Sequence, residues 1–371
     1  MKENYKKIYL ITFHRAQSYG VFLQAFALQN CNELKKFNPI YIDYYPKRFR
    51  YRSYALEVSG SNIFQKALKF PASFICKTRM HFCIYYYIKK YLKITNKTYY
   101  EPSELYKLGN QADIYISGSD QIWDCRYDDI EHVLPYYLSF AKKEKYSYSS
   151  SCGEMRYYTN KDDEKYMRIM EELKTYTRIT VREKESADDL NMCYPYKAEM
   201  MLDPTFLLTN EEWNYYLKAG KKKYKYILVY GLYRNPELKE YAVKLANEKR
   251  IKIINICDMF DVIPQAKNIF NVSPFRLLEL IRDAEDVITD SFHGCALSIN
   301  FKKELHIFMP LTSKVRILNL IQVFNLENRV IKNNILLDSK INYSKVEEIL
   351  TKERLRSSKY LKNIVGNNIN N

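Results

Sequence analysis

Short runs rich in β-branched and aromatic residues alternate along this chain with stretches of helical period, and this alternation is what most narrows its fold. In the first half the expected strands are Ile8 to Phe13, Ile40 to Asp43, Asp113 to Ser117, Tyr146 to Ser151, Arg178 to Val181 and Glu199 to Leu202. Helical stretches separate most of them; the clearest, Gly20 to Lys36, has Val21, Leu23, Phe26, Ala27 and Leu34 on an apolar face. A polar, Lys-rich span from Leu217 to Lys225 reads as a linker, and the alternation then restarts. Tyr226 to Tyr230 and Ile251 to Cys257 are strands flanking a helix from Pro236 to Lys249. Ser273 caps a helix from Pro274 to Ala284, followed by a strand from Asp286 to Asp290. A helix from Gly294 to Phe301 and a strand from Glu304 to Met309 complete the pattern. Repeated βαβ units build mostly parallel sheets. The expected fold is therefore α/β, with two Rossmann-like domains facing a cleft: residues 1–216, with a basic aromatic insertion at about 44–100, and residues 226–361. Residues 362–371 are expected to be a frayed, Asn-rich tail.

A parallel sheet of this kind binds ligands beyond the carboxyl ends of its strands, and the glycines mark those places. The chain has only nine. Gly118, Gly153, Gly231 and Gly294 each follow an expected strand, where backbone needs positive φ or a close approach. Strand-to-helix turns would explain the glycines, but not their polar neighbours. Those are Ser117 to Gln121, Ser149 to Cys152, Arg182 and Glu183, and Thr289 to His293.

Charge is distributed unevenly. Residues 1–110 hold 19 Lys and Arg against 6 Asp and Glu, while the rest is nearly balanced at 40 against 37. From Tyr44 to Tyr100 the basic residues are interleaved with aromatics, and Glu57 is the sole acid. Two readings stand: a surface that rests on an anionic membrane, and a solvated insertion. Nucleic-acid binding is disfavoured, because no helix-turn-helix, RNP-type or zinc-finger pattern accompanies the charge. No apolar run is long enough to span a bilayer, and Met1 to Lys7 lacks a signal-peptide core, so a cytoplasmic protein is expected. The eight cysteines form no CxxC pair and are read as reduced thiols. Nicotinamide and P-loop chemistry lack their glycine motifs, and no metal-ligand cluster stands out.

The chemistry should centre on Asp290 to Gly294. His293 sits between a strand end and a helix start, where unpaired N–H groups favour a phosphate or carboxylate. There an imidazole can bind the anion or transfer a proton. Arg182 offers a bidentate grip on an anion, or a salt bridge to Glu183 or Glu185. Asp120 and Asp290 can orient or deprotonate a hydroxyl, or can cap helices. His14 either reaches the same cleft or packs in the core.

At these segments the chain resembles the polysaccharide pyruvyl transferase family. The resemblance rests on an ordered set: Thr12 to Gln29 (TFHRAQSYGVFLQAFALQ), Ser117 to Trp123 (SGSDQIW), Tyr148 to Gly153 (YSSSCG), Thr180 to Glu183 (TVRE), Leu202 to Leu208 (LDPTFLL), Ile288 to Gly294 (ITDSFHG) and Arg316 to Arg329. It implies a glycosyltransferase-B-like architecture and transfer of pyruvate from phosphoenolpyruvate to a sugar. The product would be a ketal on a cell-surface polysaccharide, such as an exopolysaccharide or capsule, or on its lipid-linked precursor. No cofactor beyond the donor is implied. By the resemblance His293 matches the donor-site histidine and Arg182 the arginine at the donor's anionic end. Gly118, Ser119, Gln121, Ser291 and Gly294 are expected around the substrates. His293 is the expected acid, with Asp290 or Asp120 as base. The chain departs from the family pattern at Ser291, where some members carry an arginine, for which Arg316 or Arg329 could substitute, and at Ser18, where Asn is usual. Two other readings remain: a sugar-nucleotide-dependent glycosyltransferase of the same architecture and a non-catalytic glycan-binding protein.

Overall fold

A computed structural model describes residues 6–50, 63–126, 129–157, 163–193, 197–220, 224–337 and 339–366, with the side chains of 63–69 excepted. The expected Arg52 and Glu57, the centre of the linker and the final residues of the tail lie outside them.

The strands are β1 (Ile8–Ile11), β2 (Ile40–Tyr41), β3 (Ile114–Ser117), β4 (Glu144–Ser147), β5 (Thr180–Val181), β6 (Glu199–Met200), β7 (Tyr226–Tyr230), β8 (Lys252–Cys257), β9 (Lys267–Phe270), β10 (Asp286–Thr289) and β11 (Glu304–Ile307). Every ladder between them is parallel. The first half orders its strands β2-β1-β3-β4, and single bridges from Tyr146 to Arg178 and from Ser150 to Val181 continue it into the β5-β6 pair. The second half orders them β11-β10-β7-β8-β9. Chain order reverses between β1 and β3 in one sheet and between β7 and β10 in the other, opening a crevice at each set of carboxyl ends.

The labelled helices are α1 (Tyr19–Asn30), α2 (Ile63–Tyr91), α3 (Pro236–Lys249), α4 (Pro274–Asp283), α5 (Phe292–Asn300), α6 (Lys314–Phe324) and α7 (Tyr343–Val365). The helical period predicts that α1 runs on to Lys36 with one apolar face. Instead Cys31 is extended and breaks it, and every residue from Tyr19 to Gln29 is buried. A helix buried all round lies between layers; here Phe22 and Phe26 meet Phe275 of α4, at ring separations of 6.0 and 5.3 Å. The two halves thus share one apolar core through α1.

Two further helices tie the halves together. α2 lies within the basic insertion, whose ends run beside β2 through bridges Tyr41–Ile94 and Tyr44–Tyr99. One face of α2 buries Ile84 and Ile88. Tyr87 and Tyr91 meet Phe275 edge to face, and Asn271 Nδ2 donates to Cys76 O across 2.9 Å. The other face leaves Ile75, Phe82 and Tyr86 more than half exposed. α7 returns from the second half to the first, where Tyr360 Oη donates to Ser147 O at 2.7 Å and Ser358 Oγ to Glu33 at 2.6 Å. Its apolar face, including Leu361 and Ile364, is buried, so the helix continues to Val365, past the point where fraying was expected.

Candidate functional site

The second half brings its polar turn to the crevice through two local devices. After β10, Ser291 caps α5, its hydroxyl accepting Gly294 N–H at 3.3 Å. Gly294 packs on Thr289, where a Cβ would fall 2.3 Å from Oγ1. Asp290 then accepts the amides of Leu232 (2.6 Å) and Tyr233 (3.2 Å), fastening the loop after β7 to the end of β10. Burial pushes its carboxyl up, the two amides offsetting part of the rise. With each oxygen engaged by backbone, Asp290 holds a loop and is poorly placed to be the expected base.

His293 follows in the first turn of α5, buried and facing α1. A Cβ on Gly20 would stand 2.1 Å from its Nδ1, so the backbone of α1 lies flat against the imidazole. Nε2 is 3.8 Å from Asp203 Oδ2. Burial lowers the His293 pKa, Asp203 and Asp120 oppose this, and the charges of Arg182 and Arg316 add to it; the net shift is downward.

Asp203, within the Leu202 to Leu208 segment, has no local signal of a role in the sequence beyond its position, and proves central. Its Oδ1 accepts from Thr205 N (2.9 Å) and Oγ1 (2.8 Å), while Oδ2 accepts from Arg182 Nη1 (3.0 Å) and Ser119 Oγ (3.3 Å). Burial alone would raise its pKa, but His293, Arg182 and Thr205 outweigh that and hold the carboxylate ionised. The clue was available: Asp203 follows a strand end, as Asp120 and Asp290 do.

The first half contributes Asp120, Gln121 and Arg182. Gly118 has φ +133°, and a Cβ there would meet Tyr148 O at 2.1 Å. Ser119 is buried behind the turn, donating to Ser149 O at 2.7 Å. Gly118, Ser119 and Gly294 therefore shape the wall instead of lining it. Arg182 is not the open grip that was expected. It is 2% exposed and bracketed by Glu183 (3.2 Å), Asp203 (3.0 Å) and Asp120 (3.8 Å), with its guanidinium 4.3 Å from the Phe292 ring centroid. Burial disfavours its charge, but the three acids prevail. Glu185 pairs with Arg156 instead.

A cavity of about 220 Å³ collects the rest: Asp120, Gln121, Asp290, Ser291, His293 and Arg316 all line it. Arg316, from α6, stands 5.9 Å from the Phe292 centroid on the cavity side. Burial and the Arg182 charge lower its pKa. Arg329 is excluded as a substitute, because its guanidinium bonds Leu305 O, Ser339 O and Glu304. His14 is also elsewhere, bonded to Asp43 and Thr12 O in the core.

Two residues lining this cavity carry a buried nitrogen without a hydrogen-bond partner, His293 Nε2 and Arg316 Nε; a third such nitrogen, Arg182 Nη2, lies behind the wall, 3.8 Å from Asp120 Oδ1. Glu183 Oε2 is an orphaned acceptor nearby. A buried polar group left unpaired costs about 1–3 kcal/mol, so two such nitrogens from α5 and α6, on one cavity, mark a place for an anion.

A family model described as polysaccharide pyruvyl transferase matches residues 25–308. Asp120, Arg182, Asp203, Asp290 and His293 fall within that span, and Gly20 and Arg316 outside it. No curated protein matches by sequence. Among solved structures, a Listeria monocytogenes protein described as a UDP-N-acetylglucosamine 2-epimerase aligns over 97% of this chain and 91% of its own, at 7% identity and TM-score 0.50. S. aureus MnaA with UDP aligns over 97% and 91% at 10% identity and TM-score 0.47. E. coli heptosyltransferase WaaC with ADP aligns over 94% and 99% at 11% identity and TM-score 0.39. The fold is of the glycosyltransferase-B type, as expected.

Proposed function

The chain belongs to the polysaccharide pyruvyl transferase family, and from that premise we propose that it moves pyruvate from phosphoenolpyruvate to a sugar of a cell-surface polysaccharide or its lipid-linked precursor, closing a cyclic ketal. The observation that carries this reading is the convergence of His293 Nε2 and Arg316 Nε, neither with a hydrogen-bond partner, on one small cavity, with the Arg182 charge behind its wall.

In this scheme Arg316 and the first turn of α5 hold the donor's phosphate and carboxylate, and the Arg182 charge behind the wall adds to the attraction. His293 is neutral in the free protein and gains a proton when an anion arrives beside it. It passes that proton to the methylene carbon, leaving the central carbon electrophilic. Asp120, whose carboxylate lines the cavity and accepts no hydrogen bond among the described residues, takes the proton of the attacking sugar hydroxyl. The C–O bond to phosphate breaks, phosphate leaves, and a second hydroxyl of the same sugar adds to the same carbon while His293, neutral after its first transfer, takes that hydroxyl's proton. Asp203 positions His293 and Arg182. No cofactor enters the scheme.

The place of action we propose is the inner face of the cell membrane. The exposed face of α2 carries Ile75, Phe82 and Tyr86 beside Arg79, Lys89 and Lys90, and α2 contains no acid, a combination suited to an anionic lipid surface. No helix among the described residues is long and apolar enough to cross a membrane.

The direct test incubates the purified protein with phosphoenolpyruvate and host lipid-linked oligosaccharides, and follows phosphate release and the mass of a pyruvate ketal on the glycan. His293→Ala should abolish both; near-normal turnover by that variant refutes the assignment. The sugar-nucleotide reading draws on the names of the structural neighbours. Thermal-shift comparison of phosphoenolpyruvate with nucleotide sugars separates the two.

A further inference from the structure

Next to the donor cavity lies a larger one of about 670 Å³, and Ser18 and Leu232 wall both. One side is formed by the start of α1 and by Ser73, Cys76 and Met80 of α2; the other by residues that follow β7 and β8. We propose that this second cavity is the acceptor subsite and that it takes a neutral saccharide.

The chemistry of its lining selects that class. Its charged groups are already matched: Arg234 pairs with Asp258 at 2.9 Å and Asp261 with Lys239 at 2.5 Å, and Lys77 is also engaged. Such a wall holds nothing in reserve for a diphosphate, in contrast to the orphaned nitrogens next door. Apart from Asp261 Oδ1, which has the Lys239 ion pair but no hydrogen bond and would repel a phosphate, what it leaves unmet is neutral. Gln17 Oε1 is buried without a hydrogen-bond partner, and the Ser18 hydroxyl stands at the N-cap of α1 without making a capping bond. An acceptor oxygen and a hydroxyl, flanked by the rings of Tyr19 and Phe260, suit a molecule whose edges are hydroxyls and whose faces are C–H. The volume lies within the usual range for a ligand of one to a few rings. The common wall at Ser18 and Leu232 sets a hydroxyl of this occupant towards Asp120 and His293. Calling the occupant an acceptor rests on the pyruvyl-transfer reading; the saccharide site itself does not.

The test is saturation-transfer NMR on the full chain with galactose, glucose, mannose, N-acetylglucosamine, N-acetylmannosamine and lactose. At least one should receive saturation from the wild type. Ser73→Trp, which fills the cavity from α2, should abolish that signal, while Arg316→Met should retain it. Gln17→Leu, a milder change if the indole disturbs folding, should weaken binding roughly two- to tenfold. The proposal is overturned if none of the six binds, if binding survives Ser73→Trp in a folded protein or is unchanged in Gln17→Leu, or if UDP displaces the sugar. A parallel thermal shift with phosphoenolpyruvate reads the donor site alone, so its failure with intact saccharide binding removes only the donor assignment.

Discussion

Gly20→Ala places one methyl group in the first half of the chain and should silence an imidazole supplied by the second. The new Cβ would stand 2.1 Å from His293 Nδ1 and 2.3 Å from Cγ. Ordinary contact begins near 3.4 Å, so the ring or α1 must give by about 1.3 Å. Misplacing a reacting group by about 1 Å costs on the order of 100-fold in rate. Stability should change far less. Alanine is favoured over glycine in a helix by roughly 0.5–1 kcal/mol, and overpacking costs about 1–3 kcal/mol. The net loss is about 0–2.5 kcal/mol, or some 3 °C in Tm at most for a chain this long. Turnover, measured as phosphate release with saturating donor and acceptor, should therefore fall about 100-fold in a folded protein. In a His293→Ala background the same substitution has no ring to displace, so the overpacking cost in Tm should vanish. Turnover within twofold of wild type in Gly20→Ala, or a Tm loss from Gly20→Ala as large in the His293→Ala background as in the wild type, would refute the reasoning.

Three other outcomes follow from the same geometry. Arg316→Met removes a charged donor from the cavity and should raise the donor KM roughly 10- to 150-fold with little change in Tm, whereas Arg329→Met strands Glu304 and two carbonyls and should mainly lower Tm. Because burial lowers the His293 pKa below its ordinary value of about 6.5, its contribution to stability is present above that pH and is lost as pH falls through the folded value. Conversely a bound anion raises that pKa, so donor binding takes up a proton and tightens as pH falls. Calorimetry in buffers of different ionisation enthalpy should show the uptake in wild type and its loss in His293→Gln. Ile75→Asp with Tyr86→Asp should reduce co-sedimentation with anionic vesicles and leave turnover on a soluble acceptor intact; unchanged sedimentation removes the membrane surface from the proposal.

Sequence alone determined the strands other than β9 and the helices α1, α3, α4 and α5, because periodicity and glycine placement are local properties; β9, α2, α6 and α7 were not legible in it. It therefore determined that Asp120, Arg182 and His293 stand at strand ends facing a cleft, and the ordered motifs between Thr12 and Arg329 pointed to the family. Tertiary structure alone decided what each group does there, since that depends on partners distant in the chain. Asp290 is held by amides of Leu232 and Tyr233, and Arg182 is enclosed by Asp203, which no local pattern links to it. Arg316 reaches the cavity and Arg329 does not, although both lie in the same late segment. The closeness of Gly20 to His293, and the burial of α1 on all sides, exist only once the two sheets pack on a common helix. A carboxylate or guanidinium carries the same charge in either role. Its chemistry depends on whether the surrounding fold has already supplied a partner.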